Sequence, residues 1–311
     1  MPSAQIAVIG AGMTGITAAR QLVSAGQNVK IFEKSRGSGG RLASKRSTIG
    51  RINLGAQHFK AAENQFIADL HSWQQAGWVE HSTETNCWAG IPYMSALTRN
   101  LLAAIPTQFS CEIASLNQTC AGWQLYDQHG QSHGPFQQVL IAVPAPQAQM
   151  LLSTCAPQLA KQAAAVTMQP AWIVALGLEA PITAPNNLRQ LHNSSIAELI
   201  YLPQSTEQPM PAVIIQASPE WSWQYLEEQP AQVITALSKA CETLLKCPLP
   251  ATTHAFAHRW RYAQGALKQT TAFFAEPQRG LYLAGDWCGA GDVQSAWRSG
   301  KQAAQHLLNS L

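Results

Sequence analysis

Two glycine-rich stretches, each with charged residues at set distances, carry the chemistry announced by this sequence. In the first, GAGMTG follows the apolar run IAVIG and places glycines at Gly10, Gly12 and Gly15. Gly10 suits a tight turn, Gly12 lets the backbone approach a pyrophosphate, and Gly15 permits close packing of a helix on a strand. Free N–H groups and the positive dipole at the start of the next helix favour the same anion. Glu33, about 20 residues further on, stands where an acid hydrogen-bonds an adenosine ribose and disfavours a 2′-phosphate. Such glycines also punctuate ordinary turns, but strand, helix and acid in one register favour a dinucleotide.

The second stretch, EKSRGSGGR, spans residues 33–41. Gly37, Gly39 and Gly40 let backbone amides come close to an extended anion, and Arg36 and Arg41 can neutralise it through charge-assisted hydrogen bonds. A solvated basic turn is the ordinary reading of an isolated SRGSGGR. Directly after the ribose-binding acid, a second phosphate-facing loop is the better one, and it suits FAD rather than NAD.

At the far end, LYLAGDW delivers Asp286 from the end of an apolar strand, and a helix begins near Val293. Asp286 can accept from ribityl hydroxyls, and the helix start near Val293 and Gln294 can stabilise charge on a reduced flavin. The bland alternative is a strand–helix pair that merely closes the sheet. Taken alone, these residues leave both readings open.

The elements that position these groups follow from pattern. ITAARQLVSAG has a helical apolar repeat at Ile16, Ala19, Leu22 and Val23, and Gly26 suits its stop. NVKIFE completes a βαβ unit. FSCEIASL, GWQLYD and QQVLIAVPAP read as three further strands of the same sheet, with Pro144 and Pro146 ending the last. Ala296, Gly300, Ala303, Ala304 and Leu307 mark the inner side of the last helix. A nucleotide domain built from residues 1–60, 95–150 and 277–311 is expected, with 61–94 and 151–276 forming a second domain. The latter contains the strands AWIVALGLE, ELIYLP, AVIIQAS and THAFAHRWRYA and the helix TALSKACETLLK.

Composition sets the limits. The chain has 311 residues, 46% apolar and 12% charged, with a net charge of +3, which describes a globular protein with a sizeable core and no nucleic-acid surface. The start, MPSAQIAVIGAG, lacks a signal-peptide pattern, and no apolar run reaches the roughly 18 residues that span a bilayer. Seven cysteines without a CxxC pair suit free thiols in a reducing cytosol better than a disulfide or zinc framework. A cytoplasmic protein without a metal is expected; its oligomeric state is left open.

GAGMTG, EKSRGSGGR, LGAQHF, GIPYMSALTR, IAVPAPQA, AHRWRYA and AGDWCGAGDVQSAWRSG run in this order along nearly the whole chain. Together they resemble the bacterial renalases, FAD-dependent members of the amine-oxidase-like flavoprotein superfamily. In the common amine-oxidase pattern an arginine stands two residues after the acid; here Ser35 does, and Arg36 comes one later, as in renalase-like sequences. The resemblance implies an α/β, Rossmann-like FAD-binding domain joined to a mixed-sheet substrate domain of the p-hydroxybenzoate-hydroxylase or amine-oxidase type. It also implies non-covalent FAD and oxidation of the 2- and 6-dihydro isomers of NAD(P)H by hydride transfer to flavin N5. Normal NAD(P)⁺ is then released, and O₂ reoxidises the flavin to give H₂O₂. Most catalysis of that kind is positioning, and no catalytic acid or base is assigned.

Motif by motif, the resemblance places Gln57, His58, Phe59, Lys60 and Ala61 at the flavin–substrate boundary. It sets Trp287 beside the ring, with Ala171 and Trp172 entering from the second domain. For the cofactor it implies Gly10, Gly12, Met13, Thr14, Gly15, Glu33, Lys34, Arg36, Gly40, Arg41, Ala56, Gln57, Ile113, Asp286 and Val293. Two departures stand out. GDVQSAW replaces the more usual GRVEGAW, so Asp292 stands for a cation and Ser295 for a glycine, and His58 stands where tyrosine is frequent.

Bland readings remain beside these. His58 can be a structural histidine, His258 is read as structural, and His71, His81, His129 and His133 as surface residues. Lys60 can bind a substrate phosphate or be solvated, and Lys268 is read as a surface-loop residue. Trp221 and Trp223 alternate, so that one faces the core. Two other functions stay open: an amine or other small-molecule oxidase on this scaffold, and a non-catalytic nicotinamide-nucleotide sensor, to which Asp292 and Ser295 are the hints.

Overall fold

The computed structural model describes residues 5–182, 188–189 (backbone only), 191, 194–206 and 208–311. The chain forms two compact units: residues 1–43, 56–168 and 264–311, and residues 44–55 and 169–263.

The first strands of the chain are β1 (Ile6–Ile9), β2 (Val29–Phe32), β3 (Ser44–Ser47), β4 (Gly50–Asn53), β5 (Val79–Ser82), β6 (Cys87–Gly90) and β7 (Thr107–Gln108). After them come β8 (Ile113–Thr119), β9 (Gly122–Asp127), β10 (Ser132–Phe136) and β11 (Gln138–Ile141). The remainder are β12 (Gln169–Leu178), β13 (Leu188–Arg189), β14 (Ile196–Leu202), β15 (Ala212–Ala217), β16 (Thr252–Gln264), β17 (Phe273–Glu276) and β18 (Leu281–Ala284). The helices are α1 (Met13–Ser24), α2 (Asn64–Gln75), α3 (Met94–Leu102), α4 (Ala145–Leu152), α5 (Pro157–Ala164), α6 (Pro219–Gln224), α7 (Pro230–Leu245) and α8 (Val293–Leu308).

The first unit is built on a six-stranded sheet in the order β17-β18-β11-β1-β2-β7. Its central strands are parallel: Ile6 pairs with both Gln138 and Val29. Alternation sorts the side chains. Ile6, Val8, Ile31, Leu140 and Tyr282 join the core formed with α1, α2, α3 and α8. Phe32 points the other way, edge-on to Phe136 at 5.8 Å, beneath the separate three-stranded sheet β10-β9-β8. FSCEIASL and GWQLYD therefore do not extend the main sheet, as the sequence had suggested; only QQVLIAV does, as β11. Strands this short carry a face but no address.

α1 ends as expected: Gly26 (φ +80°) donates to Val23 and Gln27 to Leu22, which caps the last turn. Val23 itself is exposed, because the buried stripe is Ile16, Ala19 and Leu22. α8 buries the predicted Ala296, Gly300, Ala303, Ala304 and Leu307. A Cβ on Gly300 would run into the Thr14 carbonyl, so this glycine allows α8 to lie directly on α1.

The second unit is a five-stranded sheet in the order β13-β14-β15-β12-β16, antiparallel between β13 and β14, β14 and β15, and β15 and β12. Alternation along β12 sends Trp172, Val174 and Leu176 to the face covered by Val233, Leu237 and Cys241 of α7. Ile173 and Ala175 face Ile49 and Ile52 of the β3–β4 hairpin. α7 starts on Pro230 with a reciprocal Gln229–Gln232 capping box. PEWSWQ forms α6, in which Trp221 packs on the core and Trp223 is exposed, so that one of the two faces the core as expected.

The boundaries differ from the sequence expectation in four places, since residues 151–168 and 264–276 also fall in the first unit. Residues 61–94 belong to the first unit, because Phe66, Leu70 and Trp73 of α2 complete its core. Residues 44–55 belong to the second, as the hairpin that covers its sheet. Among the described residues no helix is long and apolar enough to cross a membrane.

Candidate cofactor and substrate site

The site begins where β1 turns into α1. Gly10, with φ +106°, makes the turn, and a Cβ there would lie 2.5 Å from the Ala142 carbonyl oxygen. Gly12 caps α1 with no side-chain cap and no acid in the first turn, and a Cβ on it would meet nothing within 4 Å. A bare helix N-terminus beside open backbone is an anion cradle. Met13, Thr14 and Gly15 follow, buried.

Glu33 is buried at the end of β2. One carboxylate oxygen accepts from the Ala11 N–H at 2.7 Å, and the other from the Ser35 N–H at 2.8 Å. It thus ties the first glycine loop to the second and keeps further lone pairs for a ligand. The second loop folds against the first: Gly39 (φ +119°) donates to the Ala11 carbonyl at 2.8 Å and forms a parallel bridge with Gly12. EKSRGSGGR is therefore a second wall of one cradle. Ser38, which sequence reasoning passed over, is buried and donates to Thr98 of α3 at 3.4 Å. Lys34, Arg36 and Gly40 are exposed.

Arg41 leaves the loop to form a two-pronged ion pair with Asp286, at 2.7 and 2.5 Å. Asp286 is held by the turn after β18, where the Gly285 N–H donates to Ser299 Oγ at 2.9 Å. Trp287, fully buried, stacks on Phe274 and donates to the Val143 carbonyl at 3.1 Å. The exposed Lys268 sits in a loop tied down on either side: Leu267 donates to Trp287 and Thr271 to Cys288.

Ala56 donates to the Arg41 carbonyl at 3.0 Å, and Phe59 exchanges backbone hydrogen bonds with Trp88. Gln57 and His58 are presented between these anchors, half-buried, while Lys60 is exposed and Ala61 half-buried. Ile113, at the start of β8, is buried.

The two departures in the last motif explain each other. Asp292 is the N-cap of α8, accepting from the Ser295 N–H at 2.7 Å, and Ser295 Oγ accepts from the Ala290 N–H at 3.0 Å. D-x-x-S before a helix is a legible cap pattern. Val293 opens the helix, and Gln294 reaches Ala62 and Glu63 instead.

In the second unit Ala171 and Trp172 are buried, and Trp172 donates to the Tyr225 carbonyl at 2.9 Å from the helix-covered face. On the hairpin-covered face, His258 packs edge-on to Trp260 at 4.6 Å, with Nε2 buried and without a hydrogen-bond partner among the described residues. Burial, then the Lys45 ammonium, holds its imidazole below the usual range. Trp260 donates to the Leu54 carbonyl at 2.6 Å.

Comparison with known proteins gives this arrangement its place. Residues 82–308 match the family of flavin-containing amine oxidoreductases, and residues 8–75 match the NAD(P)-binding Rossmann-like domain. The chain belongs to the flavin-containing amine oxidoreductase family. Among solved structures it is similar to a candidate protoporphyrinogen oxidase from Exiguobacterium sp. 255-15, with a TM-score of 0.76 and 14% identity over 99% of this chain and 100% of that one. It is also similar to cyclohexylamine oxidase from Brevibacterium oxydans IH-35A, with a TM-score of 0.70 and 12% identity over 99% of both chains. A putrescine oxidase triple variant redesigned in its cofactor binding gives 0.76 and 10%, again over 99% of both. At these identities the likeness is one of fold.

The cofactor of this amine-oxidoreductase fold is FAD, and the residues fit it. The bare α1 N-terminus and the open face of Gly12 suit a pyrophosphate, and Glu33 suits a ribose. Arg41 and Asp286 offer a cation and an acceptor at the ribityl end. FAD when bound supplies a two-electron acceptor.

Proposed function

We propose that this enzyme oxidises the 2- and 6-dihydro isomers of NAD(P)H to NAD(P)⁺, with O₂ as terminal acceptor and H₂O₂ as product. The observation that carries the reading is that the motifs behind the renalase resemblance are hydrogen-bond partners of one another. Arg41 of EKSRGSGGR is paired with Asp286 of AGDW, and Trp260 of HRW is bonded to Leu54 of LGAQHF. They act as two devices and not as scattered similarities.

The chemistry asks little of the side chains beyond position. A dihydropyridine that loses hydride becomes an aromatic cation and needs no general base, whereas a protonated amine must also shed a proton. Gln57 and His58, held between the Ala56 and Phe59 anchors, supply hydrogen-bonding groups suited to a carboxamide. The structural role of Asp292 as N-cap toward the Ser295 N–H weakens the hint that these two residues gave toward a non-catalytic sensor. The second reading, an amine oxidase, is favoured by the family match and by the fold shared with two amine oxidases.

The test is an anaerobic spectrum of the purified flavoprotein on addition of isomerised NADH, fresh NADH, cyclohexylamine and putrescine in turn. Rapid bleaching by the isomers alone, reversed by air, is the expected result. Bleaching by an amine and not by the isomers would transfer the assignment to the second reading.

A further inference from the structure

Behind Glu33, and apart from the cofactor cradle, three side chains of different chemistry meet. Cys111, Asp127 and His133 are all buried, at 2%, 6% and 8% exposure. His133 was expected at the surface, but it is buried, as is Phe136 across a register shift in β10, and its ring lies 5.1 Å from that of Phe32. The sulfur of Cys111 is 3.8 Å from Asp127 Oδ2 and 3.7 Å from His133 Nε2, and Nε2 is 3.2 Å from Oδ2.

We propose that Cys111, Asp127 and His133 bind one divalent transition-metal ion of the zinc class. Bonds of about 2.3 Å to sulfur and about 2.0–2.1 Å to nitrogen and oxygen, at tetrahedral angles, separate the ligand atoms by roughly 3.3–3.6 Å. The observed triangle needs adjustments of only a few tenths of an ångström. A thiolate, an imidazole and a carboxylate are the ligand types that select zinc-like ions over magnesium or calcium.

The carboxylate is aimed from behind. Asp127 Oδ1 accepts from the His129 N–H at 2.9 Å and the Gln131 N–H at 3.0 Å, which leaves Oδ2 to face the sulfur and the imidazole. Backbone groups that orient a ligand in this way are the usual support of a metal site. Charge agrees as well. On binding, the Cys111 S–H bond breaks and its proton leaves to solvent. Metal–sulfur, metal–Nε2 and metal–Oδ2 bonds form, with the imidazole proton carried on Nδ1. Dication, thiolate, carboxylate and neutral imidazole sum to zero, as a buried site requires. The fourth position is left to water.

Such an ion would pin the β8–β10 sheet to the end of β2, where the Cys111 N–H donates to the Glu33 carbonyl at 3.0 Å. The site needs no commitment to any substrate.

The test is a titration of the chelator-treated holoprotein with Co(II), followed by the d–d bands that a tetrahedral site shows at wavelengths beyond the absorption of oxidised flavin. One equivalent bound, with bands displaced by Zn(II), is expected. Cys111→Ser and, independently, His133→Gln should weaken Co(II) binding by at least about 100-fold while the flavin band shows the fold intact. Absence of the bands in the parent protein overturns the site. So do bands that persist unchanged in either folded variant, which would mark metal held elsewhere, and the triad would then be a hydrogen-bonded cluster alone.

Discussion

Arg41 and Asp286 stand 245 positions apart in sequence and meet in a two-pronged ion pair. The pair joins the second glycine loop to the turn after β18, so the two ends of the chain close one cradle. Asp286 has 7% side-chain exposure and Arg41 28%. The carboxylate is thus desolvated and the guanidinium only partly so. Asp286→Asn keeps the shape and removes the charge. Breaking such a pair costs several kcal/mol when both partners are buried, and the exposure of Arg41 reduces this to about 1–3 kcal/mol. The flavin-to-protein absorbance ratio after gel filtration should fall, with affinity for FAD down at least about tenfold. Arg41→Lys, which keeps the charge and loses the fork, should fall less. Full flavin retention in Asp286→Asn would remove the pair from the cradle.

Asp292, which the renalase resemblance presents as a departure from a cation, is by its position a helix cap. Asp292→Ala should lower stability by about 1 kcal/mol, since loss of an N-cap costs about 0.5–2 kcal/mol. Asp292→Asn should leave it nearly unchanged. The melting temperatures of the two variants distinguish a cap from a substrate contact: a contact residue would leave both melts unaltered and raise KM instead.

The first cradle was legible because it rests on backbone rules: Gly10, Gly12 and Glu33 have fixed spacings, and each does in space what its spacing asks. The docking of Gly39 on Gly12 was not, since nothing local encodes which loop a glycine will touch. The inward turn of His133 and the separate β8–β10 sheet were missed for the same reason. A short alternating strand fixes two faces and leaves its neighbour to long-range packing. The passage of residues 44–55 to the second unit depends on Ile49 and Ile52 finding Ile173 and Ile214, which adjacency in sequence conceals. The α8 cap is readable in D-x-x-S, the same two residues that the resemblance presents as departures.

The cysteines divide by environment. Cys120 and Cys247 are exposed, whereas Cys87, Cys111, Cys241 and Cys288 are buried. Burial pushes the Cys241 and Cys288 thiols up to about 12, so they stay protonated and unreactive at neutral pH. Titration of the native protein with a thiol-specific chromogenic disulfide at pH 8 should give two rapid equivalents. Denaturant should raise the total to the seven of the sequence. Rapid modification of Cys288 in the native state, located by peptide mapping, would contradict the buried turn after β18.

His258 makes stability pH-dependent with a defined sign. Its folded-state pKa is depressed, first by burial and then by the Lys45 ammonium, so the unfolded chain binds its proton more readily than the fold does. The neutral imidazole is the form the fold accepts. The stability associated with it is complete above the unfolded value of about 6.5 and is lost as pH falls from there toward the lower folded value, below which the loss is constant. Urea midpoints measured between pH 8 and pH 5 should therefore drop more in the parent protein than in His258→Asn, which cannot take up the proton. Replacing Lys45 with Met should soften the drop without abolishing it, because burial is the larger cause. Parallel curves for the parent protein and His258→Asn would show that the imidazole is solvated in the folded state.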